Sequence, residues 1–250
     1  MNIQELTAYL DDFLKVWEIS DYPGAINGLQ VENSGKVTRI AAAVDASEAS
    51  IAEAVRRKCD LLLVHHGLFW DGNVPVTGRR YRRLAQLIRA DVAVYSSHLP
   101  LDVHPGVGNN AELARALRIE LKGTFAPQQR HDAGVWGTLD VSRETLTARL
   151  DDVLGVRVRL MPGGAEKISC VGIITGGAGS MIHHAVAAGL DAFITGEGAH
   201  HTYFDAMESG INVYYGGHYA TETFGVRALA KHVEEKFGIP WEFIDLPTGL

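Results

Sequence analysis

Leu61-Leu62-Leu63-Val64-His65-His66-Gly67-Leu68-Phe69-Trp70 is the stretch on which the reading of this chain turns. Its first four residues form an apolar run of strand length without alternation, the pattern of a strand buried on both faces of a parallel sheet. Two histidines follow, then a glycine, which takes turn conformations that other residues resist. Open α/β sheets bind ligands beyond the carboxyl ends of their strands. The run therefore assigns an α/β fold and puts His65 and His66 where such folds do their chemistry.

Outward from this stretch the same alternation continues. Residues 37–44 read as a strand and 47–58 as a helix with Ser47 at its N-cap. Residues 78–90 read as a basic amphipathic helix, 92–95 as a strand and 109–117 as a helix. Upstream, Leu6, Leu10, Phe13, Leu14 and Trp17 recur at helical spacing and predict a helix over 3–17. Residues 134–161 predict a strand, a helix over 143–154 and a strand over 156–160.

After Pro162-Gly163-Gly164 the pattern restarts. Lys36-Val37-Thr38-Arg39-Ile40 overlies Lys167-Ile168-Ser169-Cys170-Val171 at an offset of 131 residues. The same offset carries Ile51 onto Ile182, Ala54 onto Ala185, Asp60 onto Asp191, and His65-His66 onto Gly196-Glu197. At an offset of 120, Tyr95 meets Tyr215, His98 meets His218 and Asp102 meets Glu222. The repeat predicts two similar, interlinked α/β lobes of β-α-β-α-β design, residues 1–125 and 126–250. The final segment, 216–250, is a candidate to pack back on the first lobe.

Composition narrows the class. Hydrophobic content of 46% against 21% charged residues is ordinary for a soluble globular protein. A net charge of −7 argues against a dominant attraction to nucleic acid or anionic membranes. No stretch approaches the roughly 20 apolar residues of a membrane helix, and no basic-then-apolar leader opens the chain. Cys59 and Cys170 are too few for a disulfide framework. The cytoplasm is the expected compartment.

Chemistry-bearing side chains follow the strands: His65-His66, His98 with Asp102, Glu197, and His218 with Glu222. Imidazole and carboxylate together suit zinc, iron, manganese or nickel. Adjacent residues leaving a strand point in opposed directions, so a histidine pair there can give one ligand to each of two ions. A carboxylate has two oxygens and can bridge them, and paired metals about 3.5–4 Å apart activate water. The conjunction across both repeats assigns His65, His66, Asp102, His218 and Glu222 as ligands of two divalent ions. Glu222 is the expected bridge. His98 is either a sixth ligand or a group that orients one.

Taken together, Leu-Val-His-His-Gly (63–67), Ser-His-Leu-Pro-Leu-Asp (97–102), Thr-Gly-Glu-Gly-Ala-His-His (195–201) and Gly-Gly-His-Tyr-Ala-Thr-Glu (216–222) resemble the Nif-three-like dinuclear metal-centre family. Its members often carry the name GTP cyclohydrolase I type 2 homologue. The resemblance spans nearly the whole chain. It implies two interlinked α/β lobes, a two-metal site with ligands at the same five positions, and a toroidal homohexamer. The activity expected is that of a metal-dependent hydrolase, with Glu197 or His98 handling protons and a small nucleotide or pterin-like substrate. The alternative is a non-catalytic metal-binding regulatory protein or metallochaperone.

Other features are weighed against plainer readings. Residues 175–180, Thr-Gly-Gly-Ala-Gly-Ser, lie between a strand and a helix and read as a tight turn, with anion binding the minority reading. His200 and His201 are candidates for acid/base work or a solvated helix start. Arg79, Arg80, Arg82 and Arg83 flank Tyr81 and read first as a solvated face, second as a nucleic-acid or nucleotide contact. Phe69 and Trp70 are expected to wall a pocket.

Overall fold

A computed structural model describes residues 1–250. The run that opens the sequence reading is β3 of a five-stranded sheet, and its neighbours explain its composition. In chain order the elements are α1 (Ile3–Phe13), β1 (Gly28–Val31), β2 (Ile40–Asp45), α2 (Glu48–Arg56), β3 (Leu61–His66), α3 (Gly78–Ala90), β4 (Ala93–Ser96) and α4 (Leu99–Asp102). They continue with α5 (Asn109–Ala116), β5 (Glu120–Pro127), β6 (Asp132–Ser142), α6 (Arg143–Leu154), β7 (Arg159–Pro162) and β8 (Lys167–Ile173). The chain closes with α7 (Ile182–Ala187), β9 (Ala192–Thr195), α8 (Thr202–Glu208), β10 (Asn212–Tyr215), α9 (His218–Thr221), α10 (Thr223–Phe237) and β11 (Trp241–Phe243).

These elements form two compact units. Met1–Leu101 with Gly225–Leu246 make the first, and Asp102–Phe224 with Pro247–Leu250 the second. The chain thus crosses from one unit to the other inside α4 and returns inside α10.

In the first unit the sheet order is β1-β4-β3-β2-β11, with β2, β3, β4 and β11 parallel and β1 antiparallel to β4. Leu61, Leu62 and Leu63 are wholly buried, as a central parallel strand covered on both faces must be. One face packs Ala41, Leu62 and Val94 against Ile51, Ala54 and Leu87 of α2 and α3. Ser47 caps α2, its side chain accepting from the Ser50 amide. On α1, Ile3, Leu6 and Leu10 are buried, and Tyr95 of β4 donates to Asp11 of that helix at 2.8 Å. The periodicity predicts α1 to residue 17, but the helix stops at Phe13. Lys15 adopts the left-handed conformation (φ 54°), which ends it, and Trp17 is exposed.

In the second unit the order is β5-β6-β8-β9-β10-β7, with β8, β9 and β10 parallel. Both faces are covered. Leu113, Leu146 and Leu150 of α5 and α6 pack with Ile168, Val171 and Ile194, while Ile182, Ala185 and Ala206 of α7 and α8 pack with Phe193 and Val213. The repeat extends further than the sequence offset reveals. β1 lies antiparallel on β4, and β7 likewise antiparallel on β10. The sequence missed β5, whose first five residues are exposed and carry no apolar alternation. The strand expected over 156–160 lies instead at Arg159–Pro162. No helix is long and apolar enough to cross a membrane.

Candidate metal centre

In the first unit, β3 runs on through His65 and His66, so the pair belongs to the strand itself. Pairing with β4 ends at Val64↔Ser96, whereas pairing with β2 continues to Asp45↔His66. Strand alternation predicts opposed rings. The two rings instead lie 4.7 Å apart, centroid to centroid, tilted by 44°. They sit where the chain leaves the pleat for Gly67, and there the alternation relaxes. His65 is wholly buried and His66 half-buried.

His98 leaves the end of β4 and joins them. The three residues each offer a ring nitrogen within 4.8 Å of the others'. Trp70 sets its ring edge-on to His98 at 4.9 Å. The loop carrying Trp70 comes so close to Gly24 that a Cβ there would lie 1.8 Å from the Trp70 carbonyl oxygen, so only glycine fits.

Each of these histidines is oriented through Nδ1. His65 Nδ1 bonds the Ser97 carbonyl oxygen at 2.9 Å, His66 Nδ1 the Asp45 carboxylate at 2.9 Å, and His98 Nδ1 the Asp21 carboxylate at 2.8 Å. A carbonyl and an ionised carboxylate only accept, so Nδ1 carries the proton in each ring and Nε2 is the nitrogen offered to an ion. Burial raises the Asp21 carboxyl pKa. Bonds from His98, Asn27 and the Tyr22 amide, with the charge of His98, more than offset it and bring the pKa to about 2.

The second unit supplies mostly carboxylates. Asp102 ends the short turn α4 and is buried; its Oδ1 accepts from Asn109 Nδ2 at 2.8 Å and from Thr175 Oγ1 at 3.3 Å. Asn110 holds Thr175 in place by accepting from its amide at 2.9 Å. His218 opens α9, and Glu222 follows four residues later as its C-cap, 2% exposed. In the second repeat the His-x-x-x-carboxylate spacing thus falls on one helical turn, which sets His218 and Glu222 on one face. In the first, His98 precedes α4 and belongs to the other unit from Asp102.

His218 Nδ1 donates to Glu197 Oε1 at 2.8 Å, and its Nε2 lies 3.2 Å from Glu222 Oε2. The bond to Glu222 raises the His218 pKa most; burial opposes it, the charge of Glu222 and then Glu197 add to it, and the result is about 9. Gly176, at φ +69°, makes room for this arrangement, since a Cβ there would lie 2.0 Å from Glu222 Oε1.

The residues expected as ligands therefore fall into two sets, His65 and His66 with His98 in one unit, and Asp102, His218 and Glu222 in the other. Glu197 is exposed and engages His218. His200 and His201 are exposed, and the ring of His200 lies 5.8 Å from that of Phe204. On α7, His183 is exposed and His184 half-buried. Sequence reasoning missed Asp21, Asp45, Asn109 and Thr175. Only Asp45 carried a usable signal, as a carboxylate closing the strand expected to flank β3. The donor chemistry fits a divalent cation of the zinc-to-manganese range. Cys59 is packed in the hydrophobic core of the first unit and takes no part in it.

The Duf34/NIF3 (NGG1p interacting factor 3) family model matches residues 1–248. The chain is 43% identical over 249 residues to a GTP cyclohydrolase 1 type 2 homolog of Deinococcus radiodurans, covering 98% of this chain and 94% of that protein. It is 38% identical to one of Treponema pallidum, with 100% of each covered. Among solved structures, TTHA1606 from Thermus thermophilus superposes with a TM-score of 0.92 at 39% identity, covering 100% of both chains. A repeated α/β framework and a whole-chain match lead to one assignment: the chain belongs to the DUF34/NIF3 family.

Proposed function

We propose that the two donor sets act together to hold two divalent metal ions and that the protein is a metal-dependent hydrolase. The observation that carries this reading is that all four candidate histidines donate Nδ1–H to an oxygen acceptor, three of them to carboxylates. That arrangement fixes the tautomer and aims Nε2, as outer partners of metal-binding histidines do. His65, His66 and His98 would supply neutral nitrogen ligands. Asp102, Glu222 and His218 would supply the rest, with Glu222 the bridge.

Bound there, the ions would lower the pKa of a water toward about 7 and polarise a carbonyl or phosphoryl group. The chain's own groups hold the protons. Glu197 Oε1 accepts the His218 Nδ1 proton and is open to solvent, which makes it the group best placed to exchange a proton with bulk water. His98 Nδ1 in turn donates to Asp21, in a pair largely closed to solvent.

The half-buried imidazoles of His66, His98 and His218 give a substrate access to the donors. The same access suits a carrier that hands metal on, and this is the second reading. Family resemblance supports a hexameric ring as the working assembly and the cytoplasm as its place.

The test is metal content by elemental analysis of protein purified without added metal, for the native chain and for Glu222→Gln. The expected result is about two ions per chain, falling below about one in the variant. Equal content in both proteins would sink the bridging role. Hydrolysis of a phosphoester and amide panel, lost in His66→Ala, favours the enzyme. Metal transfer to an apo-acceptor with no hydrolysis favours the carrier.

A further inference from the structure

The arginine cluster of α3 divides into two kinds of residue. Arg82 forks onto Glu48 through Nε at 3.1 Å and Nη2 at 2.8 Å, an exposed ion pair on the outer face. Arg79, Arg80 and Arg83 instead line a cavity of about 120 Å³ together with Asp71, Leu68 and Leu84. In these side chains Arg80 Nε and Nη1 and Arg83 Nε are buried and meet no hydrogen-bond acceptor in the protein. Arg80 stacks its guanidinium 5.0 Å above the Phe69 ring, which fixes its plane. Three guanidiniums face one carboxylate, that of Asp71.

Leaving buried guanidinium nitrogens unpaired is costly, and an anion with several acceptor oxygens removes that cost. Burial, and then the charge of Arg79, lower the pKa of Arg83 from its ordinary value, against the opposing charges of Glu48 and Asp45.

We infer that this cavity is a binding site for the phosphate group of a small phosphorylated molecule. A planar fork of donors matches carboxylate and phosphate oxygens alike, and three guanidiniums lining one cavity favour phosphate, the more highly charged of the two. The cavity is well below the roughly 300–1,000 Å³ of a site enclosing a whole drug-sized ligand, so it takes a terminal group rather than the entire molecule. An oligonucleotide backbone is a poorer match, because Arg82, the arginine on the outer face, is already paired.

The loop after β3 runs between the cavity and the histidines, with Leu68 and Asp71 in the cavity lining on either side of Phe69 and Trp70. Phe69 lies under Arg80, and the next residue, Trp70, sets its ring against His98 at 4.9 Å. One short loop therefore contacts both groups. A molecule anchored by its phosphate would bring its other end toward His66 and His98. This naming of the substrate class rests on the hydrolase reading, whereas the phosphate site does not.

Calorimetric titration of the purified chain with inorganic phosphate and with phenyl phosphate tests it, using Arg80→Gln, Arg83→Gln, Arg82→Gln and Glu222→Gln. Thermal melts and metal content check that the arginine variants fold. Phenyl phosphate is expected to bind the native chain, to weaken at least about tenfold in Arg80→Gln and in Arg83→Gln, and to be unchanged in Arg82→Gln and Glu222→Gln. Binding of inorganic phosphate alone would reassign the pocket to the free anion. Should the variants misfold, phenylglyoxal labelling of Arg80 and Arg83 in the native chain, mapped by mass spectrometry, must be blocked by phenyl phosphate. Loss of binding in Glu222→Gln with retention in the arginine variants would overturn the site by placing phosphate on the metal ligands. So would no binding at all, or oligonucleotide binding that depends on these arginines while phenyl phosphate does not bind. Because Glu222→Gln removes metal but not the arginines, failure of the hydrolase reading leaves the phosphate result standing.

Discussion

The carboxyl ends of the two parallel strand sets share a framework but not a chemistry. In the first unit, Asp45 ends β2 beside His66 of β3 and fixes that imidazole. At the matching place in the second unit stands Gly176, whose carbonyl accepts from the Gly196 and Glu197 amides at 2.8 and 3.1 Å. Where one unit keeps a carboxylate to orient a histidine, the other has removed its side chain so that Glu222 can approach. Three of the four oriented imidazoles collect in one unit, two of them held by carboxylates, while Asp102 and Glu222 lie with the fourth imidazole in the other. Duplication preserved the backbone that positions these side chains, while the side chains themselves diverged. The second unit sets His218 beside its carboxylate Glu222, whereas the first gathers three imidazoles.

That contrast can be broken in several ways. The strongest is Asp102→Asn, which keeps the bonds to Asn109 and Thr175 nearly isosteric but removes a charge; metal affinity is expected to fall about 100-fold or more, read by competition with a chelator. If affinity hardly moves, the second unit is not the source of neutralising charge. Next come the orienting carboxylates. Asp45→Asn and Glu197→Gln should each cost about 10–100-fold in metal affinity without unfolding the protein. A loss in one and not the other would show that only one unit depends on oriented imidazole.

Gly176→Ala probes the position where the units differ most. Strain at φ +69° plus the clash with Glu222 should destabilise the chain by about 1–3 kcal/mol in denaturant melts. The smallest effect expected is a proton count. Without metal, His218 keeps its proton up to about pH 9, because Glu222 and then Glu197 favour the charged ring. Metal uptake at pH 7 must therefore expel close to one proton from His218, and progressively less as the pH rises through about 9. Calorimetry in buffers of differing protonation enthalpy reads this, and His218→Ala should abolish it. Heat that does not vary with buffer at pH 7 would contradict the sign.

Much of this was readable from sequence because buried parallel strands advertise themselves. Leu61–Val64 has no alternation, and the offset between the copies marks the duplication wherever burial constrains composition. The His-x-x-x-carboxylate spacing was visible for the same reason that it works, since one helical turn brings the pair to one face. What escaped notice lacked such a constraint. β5 is a polar edge strand with five exposed residues at its start. Asp21 reaches His98 across 77 positions of sequence, and no local pattern encodes a contact of that span. The division of the arginine helix was equally hidden, because Arg79, Arg80, Arg82 and Arg83 look alike until the fold pairs Arg82 with Glu48 and sets the other three around one cavity.

The last strand has a consequence for how this architecture can be cut. β11 pairs in parallel with β2, Trp241↔Ile40 through Phe243↔Ala42, and α10 buries Val226, Leu229, Ala230 and Val233 in the same unit. A fragment ending near residue 101 would leave the outer edge of β2 bare, with Ile40, Ala41 and Ala42 next to open backbone donors and acceptors. Such an edge recruits other chains. The first copy of the duplication is therefore no longer separable as a contiguous piece of gene: expressed alone it should aggregate, and appending residues 225–246 through a linker should restore solubility.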